Sequence, residues 1–299
     1  MDWATAELLR AFDAAGVESI LIKGASVVRW LYDPGERRPY SDFDLLVPPT
    51  DVVAARNVLT RLGFQPALDE SDMPTWWREH AVGWLHLGRG AVVDLHQGLP
   101  GVGVDGDTLW RTLTARSETI LIAGFAARTL NISGRALLLA LHAAHHGAGF
   151  GRVLDDLEQA LGRADLETWR QAADLAASLD ATAAFATGLR LVPRGRKLAD
   201  ELDLPTDRPV ALVLKVTSPP PVALGFEQLA RARGLRAKLR ILRHKVVPPP
   251  TFMRHWSPRA RQSRLGLVLA YAWRPIWLLR SAPAGFKAWR AARRASSAG

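Results

Sequence analysis

The stretch from Ile20 to Val47 constrains this chain most, because it places two carboxylates on one short strand. Asp42 and Asp44 stand just before the apolar run Leu45–Val47, and the alternation of a strand directs both side chains to the same face. Neighbouring carboxylates repel each other and are costly to desolvate unless a cation lies between them. The sequence therefore predicts a cation here, and Mg²⁺ is the hard ion that carboxylates and phosphates bind together.

The segment before these acids predicts a tight turn. An apolar run ending at Ile22 gives way to Lys23 and Gly24, and then to the apolar stretch 25–31, which indicates a strand, a turn and the start of a helix. Backbone N–H groups at such a turn point toward anions. Lys23 is either a solvated lysine at the end of a strand or a point charge that neutralises phosphate.

A third carboxylate comes from a later strand. Asp94 lies in the β-branched run 91–96, and His96 follows on the same face, where it is a candidate for orienting an acceptor or a metal-bound water. A second D-x-D, Asp105 and Asp107, has flanking glycines and is interpreted as a surface turn.

Two arginines lie in the polar loop ahead of Asp42. Arg37 and Arg38 are either solvated or bind phosphate oxygens, which arginine does in bidentate geometry.

These motifs together resemble the DNA polymerase β-like nucleotidyltransferase superfamily. Within it, the segments LIKGAS, RPYSDFDLLV and VVDLH are similar to a group of uncharacterised bacterial nucleotidyltransferases. The resemblance implies that Asp42, Asp44 and Asp94 are catalytic and hold two Mg²⁺ ions. It also implies that a nucleoside triphosphate (NTP) binds at Lys23, Gly24, Ala25, Ser26 and Arg38. Ala25 departs from the superfamily's usual glycine or serine, and Ser26 is a candidate replacement.

The resemblance and the helical periodicity predict an α+β chain in three parts. Residues 1–130 form a polymerase β-like nucleotidyltransferase domain, a small mixed sheet flanked by helices. Residues 131–215 form a helical bundle, which begins with a helix capped by Asn131 or Ser133. Residues 216–299 form a basic helical region rich in Arg and Trp, in which 227–245 is expected to be one helix.

Later polar residues are candidates for lining the cleft. By resemblance these are His145, His146, Arg152 and Asp156. Plain helix packing is the alternative, and a zinc site is another, since His142 and His146 have zinc-helix spacing and Asp155 or Asp156 could complete it, although H-E-x-x-H is absent. His80 is interpreted as a structural histidine.

The positive charge is concentrated at the C-terminal end. The formal net charge is +10, yet residues 1–227 hold 22 Lys and Arg against 29 Asp and Glu, and residues 228–299 hold 17 against none. The apolar run Leu265–Leu279 is too short to cross a bilayer and contains Arg274 and Pro275. Three interpretations stay open: an interfacial helix on anionic lipid, a bundle helix with a tryptophan core, and a nucleic-acid surface.

Composition excludes several classes of protein. The chain has no cysteine, which excludes disulfide scaffolds, thiolate zinc sites and cysteine nucleophiles. The N-terminal segment is acidic and amphipathic, unlike a secretory signal, so the expected location is the cytoplasm or its boundary at the inner face of the membrane.

The expected reaction is transfer of a nucleoside monophosphate from an NTP to a hydroxyl acceptor, a small molecule, a peptide or an RNA, with release of pyrophosphate. D-x-D also occurs in haloacid-dehalogenase phosphatases and glycosyltransferases, where the acids end an apolar strand; here the apolar residues follow the acids, and Leu46 replaces the phosphatases' Thr or Val. A catalytically inactive nucleotide-binding or membrane-surface scaffold is the non-enzymatic alternative.

Overall fold

A computed structural model describes residues 2–33, 36, 40, 42–67, 80–217 and 219–297. These residues form two compact units: an N-terminal unit that ends at Thr206 and a C-terminal unit that begins at Asp207. The predicted α+β class is confirmed, since a mixed sheet is flanked by helices and followed by a helical region. The three-part division at 130 and 215 stays a prediction.

The N-terminal unit is built on one mixed sheet. Its described strands are β1 (Ile20–Leu21), β2 (Asp42–Leu46), β3 (Gln65–Pro66), β4 (Ala81–His86), β5 (Ala91–His96), β6 (Ser117–Ile122) and β7 (Phe125–Leu130). They lie in the order β3-β4-β5-β2-β1-β7-β6. The β2–β5 and β1–β7 pairs are parallel, and the others are antiparallel.

Helices account for the rest of this unit. They are α1 (Asp2–Ala14), α2 (Ala25–Leu31), α3 (Val52–Arg61), α4 (Gly106–Thr114), α5 (Ile132–His146), α6 (Gly151–Arg163), α7 (Leu166–Ser178), α8 (Thr182–Leu189) and α9 (Pro193–Glu201). A 3₁₀ turn, Pro49–Asp51, precedes α3. The predicted cap of α5 is confirmed, because the side chain of Asn131 accepts a hydrogen bond from the Gly134 N–H at 2.9 Å.

The main core determines which face of the sheet is left for chemistry. Phe43 and Leu45 of β2 and Val93 and Leu95 of β5 are buried in one cluster with apolar side chains of α1 and α3. Because side chains alternate along a strand, the even-numbered residues of β2 and β5 lie on the opposite face. All three predicted catalytic acids are even-numbered.

The elements described in the C-terminal unit are all helices, joined by short connections. Its helices are α10 (Val210–Val216), α11 (Ala223–Arg231), α12 (Leu235–Val246), α13 (Pro250–Trp256), α14 (Pro258–Gln262) and α15 (Arg264–Ser297). The single basic helix expected over 227–245 was wrong: it is broken between α11 and α12, where Gly234 has a φ of +84° that other residues rarely adopt. Within the described residues, no helix is both long enough and apolar enough to span a bilayer.

Candidate active site

The sheet brings the three predicted acids to one face of two adjacent strands. The register of the parallel β2–β5 pair sets Asp44 directly beside Asp94, with Asp42 two residues earlier on β2. Asp44 is only 2% exposed, whereas Asp42 and Asp94 are partly exposed. Gly83 of β4 pairs with Asp94 on its other side, and a Cβ at position 83 would lie 3.4 Å from Asp94 Oδ1. Glycine therefore leaves room for the Asp94 carboxylate.

Asp44 is held by two donors on one oxygen. The Lys23 Nζ donates to Asp44 Oδ1 at 2.6 Å, and His96 Nε2 lies 3.0 Å from the same oxygen. Burial opposes the ionisation of Asp44, but the Lys23 charge and the His96 hydrogen bond hold the pKa of this carboxyl well below its usual range. Asp44 is therefore ionised at neutral pH, and His96 Nε2 is the donor.

The pKa of Asp94 is shifted in the opposite direction from that of Asp44. Burial and the neighbouring charge of Asp44 raise the pKa of Asp94, and Asp42 raises it further, although His96 and Lys23 offset part of this effect. The face thus carries more negative charge than its own cations neutralise. An added divalent cation would relieve this excess, and carboxylate oxygens are the donors that Mg²⁺ prefers.

The side chains as they stand do not enclose an ion. Within the described ranges, no three His, Asp or Glu side chains are close enough together to hold one metal ion, and this applies equally to the alternative zinc site. The cation that neutralises Asp44 is the ammonium group of Lys23. The donor chemistry fits Mg²⁺, and its binding would require Asp44 to exchange or share its contact with Lys23.

The turn before α2 requires glycine at one position. Gly24 is the N-cap of α2 with φ +64° and ψ −121°, and a Cβ there would lie 3.2 Å from the Tyr40 ring. Ser26 is fully buried, and its hydroxyl donates to the Lys23 carbonyl at 3.3 Å, so its predicted contact with phosphate depends on its backbone N–H. Ala25 is also buried. The phosphate contacts of these residues and of Lys23 stay predictions.

Arg135, which the sequence reasoning missed, supports this turn from α5. It is buried, and its guanidinium donates to the carbonyl oxygens of Leu130 at 2.8 Å and Ser26 at 3.2 Å and pairs with Glu118. A cation directly before the apolar run 136–141 was the available signal, since a buried arginine needs partners for its charge.

A series of histidine rings leads away from the carboxylates. Ring centroids lie 5.7 Å apart for His96 and His80, 4.9 Å for His80 and His145, and 5.0 Å for His145 and His146. Burial and the Lys23 charge lower the pKa of His146, and burial lowers that of His142 even more, so both are neutral at pH 7. His80, interpreted from the sequence as structural, therefore lies between His96 and the predicted cleft histidines.

The other two cleft candidates differ in setting. Asp156 is buried and accepts a hydrogen bond from the Tyr32 hydroxyl at 2.7 Å, at the end of α2 far from Gly24. Arg152 is exposed on α6. Asp156 thus fixes one end of α2 while Arg135 supports the other.

The predicted phosphate ligand Arg38, like Arg37, lies outside the described residues.

Comparison with known proteins points to one family. The model of a family described as uncharacterised nucleotidyltransferase matches residues 1–194. The comparison with curated proteins found no match.

Three solved structures show a distant likeness. The solution structure of the antibiotic-resistance factor ANT(2'')-Ia has 13% identity and a TM-score of 0.42, covering 60% of this chain and 92% of that one. The lincosamide antibiotic adenylyltransferase LnuA has 11% identity and a TM-score of 0.37, covering 53% and 94%. An antigenic nucleotidyltransferase-like protein from Paracoccidioides brasiliensis has 15% identity and a TM-score of 0.40, covering 71% and 95%.

Proposed function

Because the chain belongs to this family of uncharacterised nucleotidyltransferases, we propose that it transfers a nucleoside monophosphate from an NTP to a hydroxyl acceptor and releases pyrophosphate. One observation carries the proposal: Asp42, Asp44 and Asp94 share one face of adjacent strands, with the Lys23–Gly24 turn beside them. All four of these residues and Gly24 lie in the N-terminal unit.

The three acids would hold two Mg²⁺ ions. Bound there, Mg²⁺ supplies charge stabilisation at the α-phosphate and lowers the pKa of the acceptor hydroxyl. The carboxylates differ in what they add. Asp44, ionised and fixed by His96, is a permanent anionic ligand, and His96 orients it in the way that hydrogen-bonded neighbours orient metal-binding carboxylates.

Asp94 is the proposed general base. Its partial exposure and its place directly beside Asp44 suit a carboxylate that accepts the proton of the attacking hydroxyl. The acceptor oxygen forms a bond to the α-phosphorus, and the bond from that phosphorus to the bridging oxygen of the β-phosphate breaks. Pyrophosphate then leaves with the electron pair of that bond.

The turn residues are proposed to position the leaving phosphates. The first backbone N–H groups of a helix have no partner within it, and those at Ala25 and Ser26 follow the Gly24 turn. Lys23 neutralises Asp44 before substrate binds, and a triphosphate offers its ammonium group a second anionic partner. Arg38 is proposed as a further phosphate ligand.

The acceptor is proposed to be a small molecule, a peptide or an RNA that bears a free hydroxyl. A cytoplasmic location, with an anionic membrane surface as a partner of the C-terminal unit, completes the proposal.

Transfer of label would test the reaction. The full chain is incubated with each α-³²P-labelled NTP and Mg²⁺, with and without EDTA, together with separate small-molecule, peptide and RNA fractions of a lysate. We expect labelled product in one fraction, an equal amount of pyrophosphate, and loss of both with EDTA. Nucleotide binding without pyrophosphate release would instead identify an inactive nucleotide-binding scaffold.

Two active-site variants and one control sharpen this test. Asp44→Asn and Asp94→Asn should each lower turnover by about 10³-fold, because each removes charge that the transition state needs. Asp94→Asn leaves the Lys23–Asp44 pair intact, so its effect cannot be assigned to loss of that pair. Asp105→Asn in the second D-x-D should change turnover by less than about twofold, since Asp105 is an exposed N-cap of α4 and Asn caps equally well. Normal turnover in Asp44→Asn would refute the assignment.

A further inference from the structure

The outward face of α15 is apolar over its first half. Large side chains that are 46–75% exposed recur there every three or four residues: Leu265, Val268, Leu269, Trp273, Ile276 and Leu279. This spacing places them on one side of the helix, along about 21 Å at 1.5 Å per residue. A helix in a globular unit normally turns such a stripe inward, and an exposed contiguous patch marks an interaction surface.

The neighbouring helix α12 repeats the pattern. None of its twelve residues is buried, and its Leu235, Leu239 and Leu242, at positions i, i+4 and i+7, are 48–72% exposed. Two helices of the C-terminal unit therefore leave an apolar stripe uncovered. We refer to these six residues of α15 and three of α12 as the exposed stripes.

Cations surround the exposed stripes. The last acidic residue of the chain is Glu227, and all 17 charged residues after it are Lys or Arg. Arg264 precedes the α15 stripe, and Arg280, Lys287 and Arg290 follow it, all exposed. On α12 the exposed cations are Arg236, Lys238, Arg240 and Arg243. Apolar side chains beside cations and without acids complement a surface with anionic headgroups over hydrocarbon.

The tryptophans decide between lipid and nucleic acid. Binding of single-stranded nucleic acid depends on aromatic rings free to stack on bases. In this unit the Arg274 guanidinium lies 4.7 Å from the ring centroid of Trp256 and 5.6 Å from that of Trp277. Trp289 donates to Glu227 at 2.9 Å and packs on Phe226 and Phe286. Three of the four tryptophans in this region are thus engaged inside the unit, and the exposed stripes are mainly aliphatic.

We infer that the C-terminal unit binds an anionic phospholipid surface, with the exposed stripes of α12 and α15 in the interfacial layer and the flanking cations on the headgroups. No described helix is able to span the bilayer, so the binding is peripheral. The inference deepens the membrane partner proposed above by naming the surface that binds it. It does not depend on the nucleotidyl transfer, so the membrane binding and the reaction can fail separately.

Vesicle sedimentation with the full chain tests it. The probes are vesicles of phosphatidylcholine alone and of phosphatidylcholine mixed with phosphatidylglycerol. We expect at least about tenfold stronger partitioning to the anionic vesicles, which falls as salt is raised. Equal partitioning to both kinds of vesicle, or none to either, would overturn the inference.

Substitutions locate the surface. The triple variant Leu269→Ser, Ile276→Ser, Leu279→Ser should weaken anionic partitioning at least about tenfold, because it removes apolar area that lipid would bury. Leu121→Ser is the matched control: Leu121 is 69% exposed, on β6 of the N-terminal unit, and its loss should change nothing. Circular dichroism should show unchanged helix content, since the three side chains are exposed. Unaltered partitioning of the triple variant would contradict the assigned surface.

Two other occupants would also overturn the inference. If sedimentation velocity shows a dimer that the triple variant dissociates, and vesicles do not bind, the exposed stripes join two copies of the chain. If the wild type and the triple variant both bind single-stranded RNA and neither binds vesicles, the cations form a nucleic-acid-binding surface.

Discussion

The two compact units of this chain differ in what surrounds their least exposed cations. In the N-terminal unit, Lys23 is paired with the buried Asp44, and the buried Arg135 is paired with Glu118. In the C-terminal unit, nearly all cations are exposed, and the buried Arg274 is surrounded by the rings of Phe252, Trp256 and Trp277 rather than by acids. Burial lowers the pKa of Arg274 to about 10.

This difference is the one expected between an active site, which needs fixed charges, and a binding surface, which does not. A pair such as Lys23–Asp44 fixes both charges in one geometry, which is what positioned chemistry requires. Exposed cations beside aliphatic side chains fix no single geometry, and they suit a partner that is itself fluid. Removal of the cation should therefore lower stability more at the buried Lys23–Asp44 pair than at a solvated lysine, because only the pair leaves a buried charge behind.

The largest effect should follow from removing the cation on Asp44. Lys23→Met leaves a buried carboxylate with His96 alone, and breaking a buried ion pair in this way costs about 3 kcal/mol of unfolding free energy. The matched control is Lys238→Met on α12, an exposed lysine, for which we expect a change within about 0.5 kcal/mol. Hydrogen exchange of the β2 and β5 amides measures the change locally.

The pH dependence supplies a second test of this pair. The folded-state pKa of Asp44 lies below its unfolded value, so its contribution to stability is present above the unfolded pKa of about 4 and is lost as pH falls through the folded pKa. The difference between the wild type and Lys23→Met should therefore shrink below about pH 4. Equal stability of the two proteins at pH 7 would show that the pair does not anchor the site.

Much of the candidate site follows from the sequence. Strand alternation alone places Asp42 and Asp44 on one face, and the β-branched run around Asp94 marks a second strand. The pairing of Lys23 with Asp44 depends on tertiary structure: β1 pairs with β2, and the Ile22 N–H donates to the Asp44 carbonyl at 3.0 Å. The position of His80 likewise depends on tertiary contacts that local periodicity does not encode: its carbonyl accepts hydrogen bonds from the Gln97 and Gly98 N–H groups after β5, and its ring packs against that of His145 on α5.

In the C-terminal unit, the sequence predicts the helices but not which of their faces are covered. Periodicity revealed the apolar spacing of the segment 265–279, but a repeat of 3.6 residues says which side chains share a face and not whether another helix covers it. The break between α11 and α12 could have been predicted from the sequence, since Gly234 interrupts an otherwise helical segment. The contact of Trp256 with Arg274 could not be predicted from the sequence, because it joins residues of α13 and α15. Trp277, by contrast, lies three residues after Arg274 on the same helix, so helical spacing already places the two side chains together.

A smaller loss of stability is expected from substituting glycines at close backbone contacts, which both units contain. A Cβ at Gly188 of α8 would lie 1.9 Å from the Ala140 carbonyl oxygen, and one at Gly266 of α15 would lie 1.9 Å from that of Arg259. Both glycines let backbones touch, so Gly188→Ala and Gly266→Ala should each cost about 2 kcal/mol of unfolding free energy. In Gly151→Ala the added Cβ meets nothing within 4 Å, and we expect no loss. Urea unfolding followed by circular dichroism measures all three.

This result would sharpen the contrast between the units. If Gly266→Ala destabilises the protein as Gly188→Ala does, the exposed stripes belong to a unit that is tightly packed on its inner side. If Gly266→Ala has no effect, the C-terminal unit lacks fixed helix packing, and the difference between the units extends beyond their charges.

The smallest predicted effect is a gain in stability. The folded-state pKa of Asp94 is raised, so its ionised form is favoured less in the folded protein than in the unfolded chain. Asp94→Asn removes this charge, and we expect it to raise the unfolding free energy at pH 7 by about 0.5 kcal/mol, a modest figure because the group is partly exposed. The gain should vanish below about pH 4, where Asp94 is protonated in both states.

Asp107→Asn, in the exposed second D-x-D, is the matched control and should show no gain. Urea unfolding at the two pH values measures the change, and a loss of stability at pH 7 would mean that Lys23 and His96 already compensate Asp94. A gain would show that this face of the sheet gives up stability to keep three acids together, a cost that the C-terminal unit, where no acid follows Glu227, does not bear.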